Sequence, residues 1–377
     1  MARKIFIAAT GQNTGKTTTS LFLMHLARKK YERVGFIKPI GPKPALLHGR
    51  EVDKDAALIA QVFGLGKNLR YMSPVVLHPG STRQVVDGVI SPADLERRVI
   101  EACAELEKKC DFLIIEGAGH VGVGSVIGLS NARIARLLDA PVLMVTGGGL
   151  GNVVDSVYMN LALFEKEGVD VRAILANKLI PEKRDTTLDY LRRFFAGESF
   201  NVLAGFDYHP VLANPTLRRI SNLLELPLLG NRRDTHRIIN HVQIGAASTQ
   251  RVAELLKDST LLIVTSSRDE LLVTMANLYQ IPAYRSRLVG LLIPGILPIS
   301  SITQQILDRS NIPYLRTQKH TTAELYRIIT EDVSKLTSED TEKIALVRSL
   351  AEKTFDFDAL DEIFASQPIA KLKGACK

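Results

Sequence analysis

Short apolar runs alternate with amphipathic stretches along the first half of the chain. KIFIAAT (4–10) reads as a buried strand, and GKTTTSLFLMHLARKKYER (15–33) as a helix whose terminal cations suit its dipole. VGFIKPI (34–40) is a second strand, and DKDAALIAQVFGL (53–65) has apolar residues at helical spacing. SPADLERRVIEACAELEKK (91–109) opens with Ser91 as N-cap, Pro92 at the first position and Asp94 in the first turn, a helix start. DFLIIEG (111–117), APVLMVTGG (140–148) and VRAILANKL (171–179) are short strands. GNVVDSVYMNLALFEKEG (151–168) is a helix closed by Gly168. Short apolar strands alternating with helices predict an α/β domain with a parallel sheet covered on both faces.

The pattern restarts after about residue 210. NPTLRRISNLLEL (214–226) is helical. STLLIVTSS (259–267) and LVGLLIPG (288–295) are strands, followed by the helices RDELLVTMANLYQ (268–280) and SSITQQILDRSN (300–311). GFDYHPVLANP (205–215), rich in Gly, Pro and Asn, marks the boundary. The expected organisation is a first α/β domain over 1–208, a smaller α/β domain over 209–335, and charged helices with a frayed tail over 336–377.

Composition adds exclusions. The chain has 377 residues, 46% of them hydrophobic, no Trp and a formal net charge of +8. The cations are scattered in short groups, so a solvated basic surface is expected rather than a nucleic-acid partner. Cys103 and Cys110 lie seven apart on one predicted helix and Cys376 is in the tail, which is no metal spacing. No apolar run approaches the ~20 residues of a membrane span and no secretory segment opens the chain. A cytoplasmic location is the expectation.

The chemistry concentrates in AATGQNTGKTTTS (8–20), between the first strand and its helix. Such a loop presents backbone N–H groups to phosphates. Lys16 would neutralise the outer phosphates and the Thr17 hydroxyl would reach Mg²⁺. Position 10, where a standard loop has its first glycine, holds Thr10, and a glycine follows at Gly11. Glu116 ends the strand FLIIE and leads into GAGH, where α/β sheets bind ligands. Asp55 or Asp53 supplies a second acid, the alternative being a helix cap.

ATGQNTGKT followed in order by GFIKPIG, DKDAALI, IIEGAG and ILANK resembles the dethiobiotin synthetase and cobyrinic acid a,c-diamide synthase group, over roughly residues 3 to 205. That group's loop is one residue longer, which puts Thr10 in register and leaves Ala9 where its first glycine stands. The resemblance implies that Thr10, Gly11, Asn13, Thr14, Gly15, Lys16, Thr17 and Thr18 cradle ATP. It implies that Thr17, Asp55 and Glu116 hold Mg²⁺, that Asn177 reads the adenine edge, and that Lys38 faces an acidic substrate. His120 replaces a glycine usual in dethiobiotin synthetases, and either faces substrate or lies on the surface. Relatives of this kind commonly pair, so a homodimer is expected, with a small-molecule ligand and no membrane partner.

HPVLANPTLRRISNLLELPLLG, VQIGAAS, LLIVTSSRDELL and LLIPGILP, within about residues 205 to 330, resemble the DRTGG domain that accompanies such a P-loop domain in the N-terminal part of bacterial phosphate acetyltransferases. The naming motif survives only as Arg268 and Asp269, either a ligand site or a helix cap with a solvated arginine. The small residues of GAAS (245–248) either let the backbone approach a ligand or a partner or simply pack. Acetyl transfer, which would need a further catalytic domain, is not expected from this chain by itself. The leading expectation is therefore an ATP·Mg²⁺-binding regulatory module that responds to a nucleotide or metabolite, with Lys16 and Lys38 as its catalytic candidates. The alternative is an ATP-dependent ligase or kinase acting on a small carboxylate. A partition-type ATPase would carry a further lysine where Gly11 stands.

Overall fold

The computed structural model describes residues 2–231, 233–331 and 336–365, with the side chains of 233 and 235 left aside. Cys376 and the end of the expected tail lie outside the described residues. The chain divides into two units, one made of the residues up to His209 together with those from Leu336 onward, the other running from Pro210 to Lys335.

In the first unit six strands form one sheet: β1 (Arg3–Ala9), β2 (Val34–Ile37), β3 (Phe112–Glu116), β4 (Val142–Gly147), β5 (Val171–Asn177) and β6 (Asn201–Ala204). Their order is β6-β5-β4-β1-β3-β2, and every pair is parallel. The strand positions alternate between the two faces. Phe6, Ala8, Leu113, Ile115, Met144 and Ile174 join one apolar cluster. That cluster is closed by α3 (Pro92–Glu107), α4 (Asn131–Leu137), α5 (Leu150–Lys166) and α6 (Arg184–Phe194), which follow α1 (Lys16–Lys30) and α2 (Lys54–Phe63) in the chain. Ser91 does stand at the N-cap position of α3, but its side chain makes no capping bond, and the start is marked by Pro92 and by Asp94 in the first turn. Gly168 follows α5 with φ +66°, the left-handed stop its position predicts.

The opposite face carries α1, which is buried nearly all round from Thr19 to Met24. The second unit comprises β7 (His241–Ile244), β8 (Thr260–Ile263), β9 (Leu288–Pro294) and β10 (Tyr314–Thr317), with α7 (Leu217–Leu224), α8 (Asp269–Leu278), α9 (Ser301–Ser310) and α10 (Thr322–Glu331). The strands are parallel in the order β7-β8-β9-β10. One apolar cluster lies beneath α8 and α9, another beneath α7 and α10. Back in the first unit, α11 (Thr341–Thr354) and α12 (Phe357–Ala365) pack on α1.

Aromatic contacts and ion pairs fasten them. Phe22 sits 4.7 Å, ring to ring, from both Phe206 and Phe355, and Phe112 lies 5.8 Å from Phe357. Asp361 accepts from Tyr31 at 2.8 Å and pairs with Arg3 at 2.5 Å and Lys30 at 2.9 Å. Glu352 pairs with Lys29 at 2.5 Å and His25 at 2.7 Å. Among the described residues no helix is long and apolar enough to cross a membrane.

Phe22 is 1% exposed, so Phe22→Ala should lower stability by about 3–5 kcal/mol, read by urea unfolding. The hydrogen bonds from Lys29 and His25 hold the Glu352 carboxyl down at about 2, against an ordinary value of 4.5. A depressed carboxyl contributes stability above its unfolded value and loses it as the pH falls. The melting temperature should therefore drop between about pH 4.5 and about pH 2, and Glu352→Gln should flatten part of that slope.

Candidate functional site

The loop from Thr10 to Gly15 leaves the C-terminal end of β1 and feeds α1. Its entry is fixed by the sheet: Thr10 N–H donates to Val145 O at 3.0 Å and Thr10 Oγ1 to Thr146 Oγ1 at 3.1 Å. Asn13 takes φ +58° and Gly15 φ +110°. Gly15 is required twice over, since a Cβ there would come within 2.3 Å of Asn177 Nδ2. α1 begins at Lys16 with no side-chain cap and no acid in its first turn. The first turn of α1 thus presents the positive end of its dipole to the loop. Lys16 Nζ donates to Gly119 O at 2.6 Å and Gly11 O at 3.4 Å.

Asn177, at the end of β5, joins three segments. Its Nδ2 donates to Thr14 O at 2.9 Å and its Oδ1 accepts from Phe206 N–H at 3.0 Å. Both ends of the amide expected to read adenine are engaged with backbone. Lys178 beside it was not singled out by the sequence reading. It takes φ +56° and donates from Nζ to Asn13 O at 2.6 Å.

Beneath the loop lies a buried charge cluster. Glu116 is fully buried and accepts from Ser20 Oγ at 2.6 Å, Thr17 Oγ1 at 3.2 Å and Lys38 Nζ at 2.8 Å. Thr17 and Ser20 are one helical turn apart on α1, so both hydroxyls reach the same carboxylate. Lys38 also donates to Asp55 Oδ2 at 2.9 Å and Gly117 O at 3.1 Å. Burial alone would pull its ammonium down, but the carboxylates of Glu116 and Asp55 outweigh burial and hold it well above its ordinary value. Asp53 caps α2: its Oδ1 accepts from Asp55 N–H at 2.9 Å and its Oδ2 from Lys43 N–H at 3.1 Å. Burial, then repulsion from Asp55, pushes it up to about 6. The two acids the sequence left open thus divide their roles, Asp53 as cap and Asp55 as partner of Lys38.

The donor set Thr17 Oγ1, Glu116 Oε1 and Asp55 Oδ2 is all oxygen, the chemistry a hard cation takes. Its carboxylate members converge on a stand-in cation, the Lys38 ammonium. Among the described residues no group of three or more His, Cys, Asp or Glu forms a metal cluster. Two carboxylates and a hydroxyl nevertheless suit Mg²⁺, which keeps several waters and phosphate ligands.

The loop Gly117–His120 is held by Asn131, another residue the sequence reading passed over. Asn131 Oδ1 accepts from Ala118 N–H at 2.9 Å, and its Nδ2 donates to Ala118 O and His120 O, both at 2.6 Å. The His120 side chain is exposed, and its Nδ1 accepts from Gly122 N–H at 3.2 Å. Cys103 and Cys110 are buried, and burial pushes their thiols up to about 12 and about 11. This is the opposite of what a nucleophilic cysteine needs.

In the second unit Arg268 precedes α8 and donates to Gly245 O and Ala247 O, each at 3.0 Å, while pairing with Glu270. It ties down the loop after β7. In that loop a Cβ on Gly245 would lie 2.7 Å from the Leu271 side chain, so packing accounts for the small residue. Asp269 Oδ1 is buried with no hydrogen-bond partner.

A parallel sheet with β1 at its centre, a loop running into a buried helix, and a carboxylate at the end of the neighbouring β3 define a P-loop nucleotide-binding α/β domain. The chain belongs to the AAA domain family AAA_26, whose sequence model matches residues 3–216. The phosphate acetyltransferase of Nitratidesulfovibrio vulgaris is 22% identical over 369 residues, 96% of this chain and 51% of that protein. That of Synechocystis sp. is 23% identical over 270 residues, covering 70% of this chain and 38% of the relative. The ATP-dependent dethiobiotin synthetase BioD of Aromatoleum aromaticum is 27% identical over 199 residues, 51% of this chain and 85% of that protein. The chain spans about half or less of the length of these two phosphate acetyltransferases.

Asn177→Ala would leave Thr14 O and Phe206 N–H without their shared partner. It should cost about 1–3 kcal/mol in urea unfolding and speed amide exchange in the Asn13–Gly15 segment.

Proposed function

We propose that the chain binds ATP with Mg²⁺ at the Thr10–Thr18 loop and serves as a nucleotide- and metabolite-responsive regulatory module. The observation that carries this reading is the parking of both candidate lysines on protein acceptors. Lys16 rests on the carbonyls of Gly11 and Gly119, and Lys38 on Asp55, Glu116 and Gly117. A nucleotide therefore has contacts to exchange in the Gly117–Gly119 loop as well as in its own. The match to a phosphate acetyltransferase through both units supports a role of the kind a domain plays beside an enzyme rather than the acetyl transfer itself.

In this reading Gly15, the first turn of α1 and Lys16 hold the phosphates, while Thr17, Asp55 and Glu116 hold the cation. Mg²⁺ would supply charge neutralisation at the β- and γ-phosphates. Asn177 keeps the loop in shape, and Lys178 flanks it on the side of Asn13. The chain is proposed to be cytoplasmic and to pair as a homodimer. The second unit, DRTGG-like in this reading, would carry the small-molecule site.

A second reading, an ATP-dependent ligase or kinase for a small carboxylate, draws on one specific feature, the Lys38–Asp55–Glu116 cluster beside the loop, together with the likeness to dethiobiotin synthetase along 85% of that protein.

Titration calorimetry with ATP and Mg²⁺ should give binding that Lys16→Ala weakens about tenfold to a hundredfold, the loss of one charge-assisted contact. ADP release should stay slow when a panel of carboxylic acids is added. Acid-stimulated ADP release that disappears in both Lys16→Ala and Lys38→Ala would overturn the regulatory reading in favour of the ligase.

A further inference from the structure

We propose that Lys38 is a built-in counter-cation that occupies the divalent-metal position, so that a metal binds by displacing its ammonium, which is freed for an anionic ligand only by that exchange. The inference rests on the Mg²⁺–nucleotide reading above and adds to it an order of events.

The Lys38 side chain is 3% exposed, and its ammonium has three donors. All three are used, on Asp55 Oδ2, Glu116 Oε1 and Gly117 O at 2.9, 2.8 and 3.1 Å. Nothing remains on Nζ to give an outside carboxylate or phosphate. The acceptors it holds include both acids suited to a hard cation. Glu116 Oε1 serves Lys38 and the Thr17 hydroxyl together, so the ammonium stands where the proposed metal ligands meet.

Removing the ammonium with no replacement would leave two buried carboxylates facing each other, a strongly unfavourable arrangement. Lys38 therefore keeps the pocket assembled in the absence of metal. Once a divalent ion takes over the neutralisation, the four-carbon stem lets the ammonium swing clear. An anion that relies on Lys38 should then bind only after the cation.

The test uses Mn²⁺ as the probe, titrated by its electron paramagnetic resonance signal against the full chain saturated with the non-hydrolysable nucleotide AMPPNP. Lys38→Met keeps the stem and removes the charge. It should tighten Mn²⁺ binding at least about tenfold, the size of effect a neighbouring charge has on an ionising site. Glu116→Gln, added to either background, should abolish the tight site. In chelator the Lys38→Met protein should melt earlier than wild type, and Mn²⁺ should restore it.

Unchanged or weaker Mn²⁺ binding in a nucleotide-bound Lys38→Met protein overturns the exchange while leaving the nucleotide reading intact. No AMPPNP binding by the wild-type chain overturns both. If Lys38→Met does not fold in chelator, refolding it with Mn²⁺ decides the matter: recovery supports the exchange and failure to recover overturns it.

Discussion

The first unit is organised around one buried ammonium. Lys38 leaves the end of β2 and meets Glu116 from β3 and Asp55 from α2, so three separate stretches of chain share a single charge cluster. Glu116 then passes the constraint to α1 through Thr17 and Ser20. Buried charges are expensive unless each is paired and hydrogen-bonded. Here every oxygen of Glu116 and every donor of Lys38 is used, and Asp53 is drawn in as the cap that fixes Asp55. The loop above can be rich in glycine and threonine because its floor is rigid.

A parallel sheet explains why these groups meet. β1 lies between β3 and β4, and all the strands point one way. The C-terminal ends of β1, β3 and β5 therefore deliver the loop, Glu116 and Asn177 to the same edge. Sequence distance is irrelevant once the strands are parallel. Residues 10, 116 and 177 reach the same end of the sheet because each is the last or next residue of its strand. Asn177 and Thr146 then set the loop's position relative to β4 and β5, as Glu116 sets it relative to β3.

Much of this was legible in the chain. Alternating strands and helices predicted a covered parallel sheet, and the apolar run KIFIAAT marked the first strand. The short strands β6, β7 and β10 were not read, because NVLA, HVQI and YLRT are too brief to stand out from loop. Ser20 was missed although Thr17 and Ser20 at i, i+3 carry a helical-face signal. Asn131 left no signal at all, since its partners are backbone groups 11 to 13 residues away. The sequence marks Lys38 as a chemical residue but does not mark it as the partner of the acids. Sequence order alone cannot say whether a lysine near two carboxylates pairs with them or looks outward.

The burial of α1 was also written in the chain, in a form that is easy to misread. SLFLM is apolar without a stripe, and a helix apolar on all sides must be covered on all sides. The sheet covers one side, and α11 and α12 cover the other. The exposed ion pairs of Lys29 with Glu352 and of Lys30 with Asp358 add little each and weaken with salt. The ring contacts of Phe22 contribute more, because they remove apolar surface from water. Thr17 and Ser20 can grip Glu116 only while α1 keeps its place on the sheet. The helices from residue 341 onward hold that place from outside. Their contribution to the site is thus mechanical: they fix the helix that begins in the loop.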